Sequence, residues 1–283
     1  MSPRSLDAVV LGGGGPVGAA WTSAILHGLL SAGVPVGEAD IVLGTSAGAV
    51  VGSWLTMQPT GLPSVPELMR RRADWHAANA RSGHTDRSVF ERAMRSPTAG
   101  ATATAVADAT LPPISVEQAE AMWSSYLPEG PWAPNLAVTS VDAKTGQGRV
   151  WSAADDVSVP LAVACSTAAP GVAPPVATAD GIWVDGGVRS STNADLILEI
   201  RGDNAQDIRH GKVLMFRPLP NSSVAREQAA LVERGFAVRV INANPFYAEP
   251  TQLLDAAFID IGAAAGGDQA RDLSAALTSW LAE

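Results

Sequence analysis

ADIVLGTSAGAVVGSWLTM, residues 39–57, is the stretch on which the reading of this chain turns. A short apolar run at 41–43 has strand character, and an apolar helix-forming run follows at 49–57. Between them lie five small residues, GTSAG, 44–48. The same plan stands earlier. Residues 8–11 form an apolar run that enters LGGGGPVG, 11–18, and the segment after it carries Trp21, Ile25, Leu29 and Leu30 at helical spacing, with Gly33 as its C-cap. Strand, turn and helix twice over specify parallel strands joined by right-handed crossovers. The chain is expected to be an α/β protein, a three-layer α/β/α arrangement around a mostly parallel sheet.

Further along, residues 58 to about 133 break the pattern with Pro59, Pro63, Pro66, Pro97, Pro112, Pro113, Pro128 and Pro131 and the weakly patterned TAGATATAVADAT, 98–110. Short helices are expected at 66–80 and 116–126. The segment reads as an irregular cap inserted into one domain that spans residues 1–283. Strands resume with a hairpin of 136–142 and 148–151 turning at Thr145-Gly146. A short helix at 159–166, a strand ending at Asp185-Gly186-Gly187, a buried strand KVLMFRPL, a helix VAREQAALVERG and a strand FAVRVINAN follow. The C-terminal DQARDLSAALTSWLAE puts Leu273, Leu277, Trp280 and Leu281 on one helical face.

Composition narrows the function classes. The chain has 283 residues, 47% hydrophobic and 17% charged, and a formal charge of −9. An acidic chain lacks the basic field that nucleic acid requires, and it gains no general attraction to anionic lipid. One cysteine, Cys165, excludes an internal disulfide and packs as a small hydrophobe. Residues 1–7 are too short for a signal peptide, and no apolar run reaches the roughly eighteen residues of a membrane span. A cytoplasmic location is expected. No metal-ligand spacing is present, and no cofactor is expected. The eight tryptophans are scattered and read as packing. MRRRADWHAANAR, with Arg70, Arg71, Arg72 and Arg81, reads as a solvated helix face, the alternative being contact with lipid head groups.

Four consecutive glycines, Gly12, Gly13, Gly14 and Gly15, are costly backbone that needs a reason. Gly13-x-Gly15-x-x-Gly18 after a strand fits a dinucleotide site. That reading demands an acid at the carboxyl end of the second strand. Asp40 lies at its start, and Ser46 occupies the carboxyl end. GTSAG between strand and helix is instead the setting of a nucleophile elbow, with Gly44 and Gly48 letting neighbours pass close and Ser46 held above the sheet. If the first two strands are neighbours, residues 12–15 come close to Ser46. Their N–H groups then suit an oxyanion formed when Ser46 attacks an acyl carbonyl.

A serine needs a base. His27 lies in the first helix, His76 and His84 in the insertion, and His210 before a strand, hence at its amino end. Asp185 is better placed, at a strand's carboxyl end ahead of Gly186 and Gly187, although Asp-Gly-Gly also reads as a plain Asx turn.

GGGGPVG, GTSAG and DGG in this order resemble the patatin-like phospholipases, as do STAAPGVAPPV at 166–176 and SSTNADLI after the aspartate. The likeness runs from the first strand to about residue 198. It implies a lipid acyl hydrolase with a Ser46–Asp185 dyad and no histidine, an oxyanion loop at Gly12–Gly15, and no metal. The substrate it implies is a lipid or small ester, with a transient membrane-surface contact left open. The family's basic residue before the last loop glycine is Val17 here. Two other readings stay open: an acyltransferase on the same pair, and a non-catalytic nucleotide- or ligand-binding protein using the glycine loop. Oligomeric state is not legible.

Overall fold

Strand β1 (Ala8–Leu11) has four apolar residues, all buried. Such a strand must be covered on both faces, and its neighbours are parallel. The computed structural model of the protein describes residues 6–81, 88, 111–202, 211–220 and 223–283. In it β1 pairs in parallel with β2 (Ile41–Thr45) on one side. On the other side lies β7 (Lys212–Arg217), which pairs in parallel with β8 (Ala237–Asn242). Beyond β2 lies β3 (Leu136–Asp142), also parallel. Three pairings are antiparallel: β4 (Gly148–Trp151) on β3, β6 (Gly181–Asp185) on β3, and β5 (Val176–Thr178) on β6. As a path of pairings the strands connect β5-β6-β3-β2-β1-β7-β8, with β4 also paired to β3.

Alternation along these strands divides the apolar residues into two cores. Val9, Leu11, Val42, Leu136, Leu214 and Phe216 meet α1 (Gly15–Ser31), α2 (Ala47–Met57), α5 (Val159–Ser166) and α8 (Ile259–Ala282). Also on that side are α3 (Val65–Arg81) and α4 (Val116–Ser124). Ala8, Val10, Leu43, Val213 and Met215 face the other way, onto α6 (Ile197–Arg201) and α7 (Ser223–Glu233). The result is the three-layer α/β/α architecture with a mostly parallel sheet.

The hairpin of β3 and β4 has the expected bounds, with Gly146 at φ 71° in its turn. Two elements differ from expectation. β5 is three residues long, too short to carry a periodic signal. Helix α8 begins at Ile259 rather than Asp268, because its first half contains Gly262, Gly266 and Gly267, poor helix formers. Two of them serve close packing against α1. A Cβ on Gly266 would lie 2.3 Å from the Trp21 carbonyl oxygen, and one on Gly262 3.0 Å from Val17 Cγ1. Gly28 of α1 answers from the other side, its Cβ position 2.5 Å from Ala270 Cβ.

Adjacent glycines of α8 should therefore respond with opposite signs. Gly266→Ala forces the helix pair apart and should cost about 1–3 kcal/mol. Gly267→Ala, where a Cβ meets nothing within 4 Å, should stabilise by about 0.5–1 kcal/mol. Urea unfolding of the two variants measures both.

Candidate active site

The junction that builds the site lies on β3. Thr139 pairs with Thr45 of β2 and with Val150 of β4, and Ser140 pairs with Arg149 of β4 and Asp185 of β6. A strand residue has only two edges. Hence β4 occupies one edge of β3, while β2 and β6 follow each other along the other, running head to head. Their carboxyl ends, Thr45 and Asp185, sit opposite successive residues of β3.

Just past Thr45 the chain turns into α2, and Ser46 takes φ 54° and ψ −117°. That conformation strains a residue with a side chain by about 1–3 kcal/mol. The flanking glycines are required by contact. A Cβ on Gly48 would lie 1.9 Å from the Leu11 carbonyl oxygen, and one on Gly44 2.6 Å from Ala49 Cα. The Ser46 N–H donates to Ser166 Oγ at 2.9 Å. Its hydroxyl donates to Asp185 Oδ2 at 2.8 Å.

Asp185 is 2% exposed. Its Oδ1 accepts the Gly187 N–H at 2.6 Å, which aims Oδ2 at Ser46. Burial pushes its carboxyl up to about 7, against the downward pull of the Gly187 amide and the Ser46 hydroxyl. Gly186 is glycine because a Cβ would meet Thr139 Oγ1 at 2.6 Å.

The four loop glycines divide into pairs. Gly12 N–H donates to the Phe216 carbonyl at 2.9 Å and Gly13 N–H to the Ser191 carbonyl at 2.7 Å. These two amides are committed to the fold. Gly14 and Gly15 donate to no acceptor among the described residues. Bulk is excluded along the loop: a Cβ on Gly13 would lie 3.3 Å from Ser46 Cβ, and one on Gly14 2.8 Å from Pro218 Cγ. Gly15 adopts φ +60°. Val17 is fully buried against Gly262 of α8.

The candidate histidines scatter. His27 is exposed on α1, and His76 is buried on α3. His84 and His210 lie outside the described residues, as does 98–110. Asp40, the acid a dinucleotide would need, precedes β2 at its amino end and pairs with Arg201 at 3.2 Å.

Sequence reasoning did not single out Asn193. Left-handed at φ 51°, it donates to the Ser190 carbonyl at 2.8 Å, the Gly186 carbonyl at 3.1 Å and Thr45 Oγ1 at 3.2 Å. With Ser191 accepting from Gly13, the 190–193 turn ties together the glycine loop, the elbow strand and the aspartate turn. Buried Glu227 of α7 anchors the turn through Thr192 Oγ1 at 2.5 Å and Ala194 N–H at 3.0 Å. The only signal in the sequence is the polar cluster SSTN itself. Ser166 was missed for the same reason, a lone serine at a helix end.

Ser46, Ala47, Asp185, Gly187 and residues 13–16 open onto a cavity of about 400 Å³. Its opposite-sequence wall comes from the insertion: Met69, Arg72 and His76 of α3 and Trp123 of α4. The arginine run is thus not wholly a solvated face, since Arg72 is 3% exposed. Its helix turns that side inward, a phase the polar composition concealed. Cys165 is buried, its thiol pushed up to about 12 by desolvation. Among the described residues no His, Cys, Asp and Glu group could hold a metal ion, and no helix is long and apolar enough to cross a membrane.

The model of the patatin-like phospholipase family matches residues 9–198. Among solved structures, VipD from Legionella pneumophila is similar at 12% identity and a TM-score of 0.42, over 97% of this chain and 67% of that one. No curated protein matches.

The raised Asp185 carboxyl has a consequence for stability. A carboxyl held higher in the folded than in the unfolded chain contributes stability below the unfolded value near 4, and loses it as pH rises through about 7. Asp185→Asn keeps the shape without the buried charge. It should melt above wild type at pH 8, with the gap narrowing toward pH 5, as differential scanning calorimetry would measure.

Proposed function

The chain belongs to the patatin-like phospholipase family, a family of lipid acyl hydrolases, and on that premise we propose that it cleaves carboxylic esters of lipids through an acyl-Ser46 intermediate. The observation that carries the reading is the 2.8 Å bond from Ser46 Oγ to Asp185 Oδ2. Asp185 is the base, Ser46 the nucleophile, and residues 1–283 form one domain whose insertion at 58–133 serves as the cap.

In the first step Ser46 Oγ attacks the ester carbonyl carbon while Asp185 Oδ2 takes its proton. The carbonyl oxygen becomes an oxyanion beside Gly14 and Gly15, whose N–H groups have no other acceptor among the described residues. The N-terminus of α2 adds its positive end at the same point. One such donor is worth roughly 10²–10³ in rate. The intermediate collapses, the alcohol leaves with the proton from Asp185, and Ser46 holds the acyl group. Water then gives its proton to Asp185 and attacks the acyl carbon. The second collapse frees the acid and returns the proton to Ser46. A base near 7 suits both halves, being ionised enough to accept a proton and basic enough to take it.

Fluorophosphonate labelling of the folded protein, read by peptide mass spectrometry, should place a single adduct on Ser46. An unlabelled Ser46 in a folded sample overturns the reading. Asp185→Asn should lower kcat about 10²- to 10⁴-fold, the range of general-base catalysis. Because the base acts in its ionised form, kcat/KM for a short-chain ester should rise with pH and level off above about 7. A profile flat from pH 5 to 8 would exclude Asp185 as the base.

A further inference from the structure

One cation on the cavity wall has no counter-ion among the described residues. Arg70, Arg149, Arg189, Arg201 and Arg271 each pair with a carboxylate. Arg72 is more buried than any of them, yet no carboxylate oxygen among the described residues lies within 4 Å of it. Among the described residues the cavity's carboxylates are Asp185, committed to Ser46 and Gly187, and Glu249, which is exposed. Among the described residues Arg72 Nε has no hydrogen-bond partner, and Nη2 reaches only the weak acceptor Met122 Sδ at 3.6 Å.

Desolvating a guanidinium without an anion is costly, and an unsatisfied buried donor calls for an explanation. Part of the offset is aromatic: the guanidinium lies 4.3 Å from the Trp75 ring centroid and 4.8 Å from that of Trp123. Those contacts hold the guanidinium against two rings, but they supply no acceptor for Nε. A planar fork held in this way suits a two-oxygen anion. Burial lowers the guanidinium to about 10, which still leaves it charged at neutral pH. A second polar atom without a hydrogen-bond partner among the described residues, Ser191 Oγ, belongs to a residue that lines the same cavity.

We propose that Arg72 is the specificity residue for an oxyanion carried by the ligand, so that the cavity takes short-chain amphiphiles bearing a phosphate or carboxylate group in preference to neutral ones. The substrate class this implies, an ester with an anionic group within reach of α3, rests on the proposed ester-cleaving site. The binding itself does not require turnover.

Isothermal titration of the whole protein with octyl phosphate, octanoate and octanol tests it without reference to catalysis. Wild type should bind at least one of the anionic amphiphiles about tenfold or more tighter than octanol, the least a charge-assisted bond supplies. The stronger of the two names the group, phosphate or carboxylate. Arg72→Met, which keeps the stem against the tryptophans, should abolish that advantage. Arg72→Lys, which keeps the buried charge but not the fork, should reduce it and serves where Arg72→Met does not fold. Equal binding of all three compounds by wild type overturns the proposal. So does an anion advantage that survives Arg72 replacement, which would place the anion at Gly14 and Gly15. Ser46 labelling reports separately on the ester-cleaving reading, so the two can fail independently.

Discussion

Everything at the site depends on two strands that end against each other on one edge of β3. β2 runs up to Thr45 and β6 runs down to Asp185, opposite successive residues of the same strand. Had both continued, they would have collided, so each must turn out of the sheet. The turn after Thr45 becomes the strained elbow at Ser46, and the turn after Asp185 becomes the Gly186-Gly187 corner. The 2.8 Å bond between Ser46 and Asp185 is the closure of that gap. It needs no long side chain reaching in from a distant loop. The hydroxyl and the carboxylate meet because the backbone has already brought their strand ends together.

Such a junction is unfavourable locally and must be held from outside. Ser46 and Asn193 both sit at positive φ, and Asp185 is a carboxylate with 2% exposure. Strain of this kind persists only when its surroundings over-determine it. Here the surroundings converge on the 190–193 turn, whose groups bond to Gly13, Thr45 and Gly186. Glu227 then fastens that turn to α7 on the far face of the sheet. The face opposite the cavity thus helps to determine the geometry of the face that carries it.

Much of this was legible because it concerns residues that tolerate no substitute. Gly48 had to be glycine for α2 to lie against β1, Gly44 for α2 to turn back over the end of β2, and Gly186 for the aspartate turn to lie against Thr139. Apolar strands with glycine at their ends gave away β1, β2 and β6. What stayed hidden depends on direction and partner rather than residue type. That β6 opposes β2, instead of running beside it, is a property of pairing across 139 residues. The split of the glycine loop into committed and free amides depends on carbonyls of Phe216 and Ser191. Arg72 reads as surface in any scale of polarity, and only the packing of α3 over the cavity turns it inward.

Burial of Asp185 links stability and chemistry through a single quantity. A solvated aspartate near 4 is a weak acceptor for a serine proton. Raising it to about 7 makes it a better one, and the cause of the rise is desolvation. The same desolvation disfavours the ionised form that the proposed reaction needs, so the fold is least favoured where the proposed base is most charged. Gly187 and Ser46 moderate this conflict, because their hydrogen bonds favour the carboxylate. Without them burial would push the acid higher still, and without burial the carboxylate would be too acidic for the role proposed for it. The insertion helices matter to that balance, since α3 and α4 wall the cavity onto which Asp185 opens. A more open cavity would hydrate the carboxylate, stabilise the fold and make Asp185 a weaker proton acceptor together.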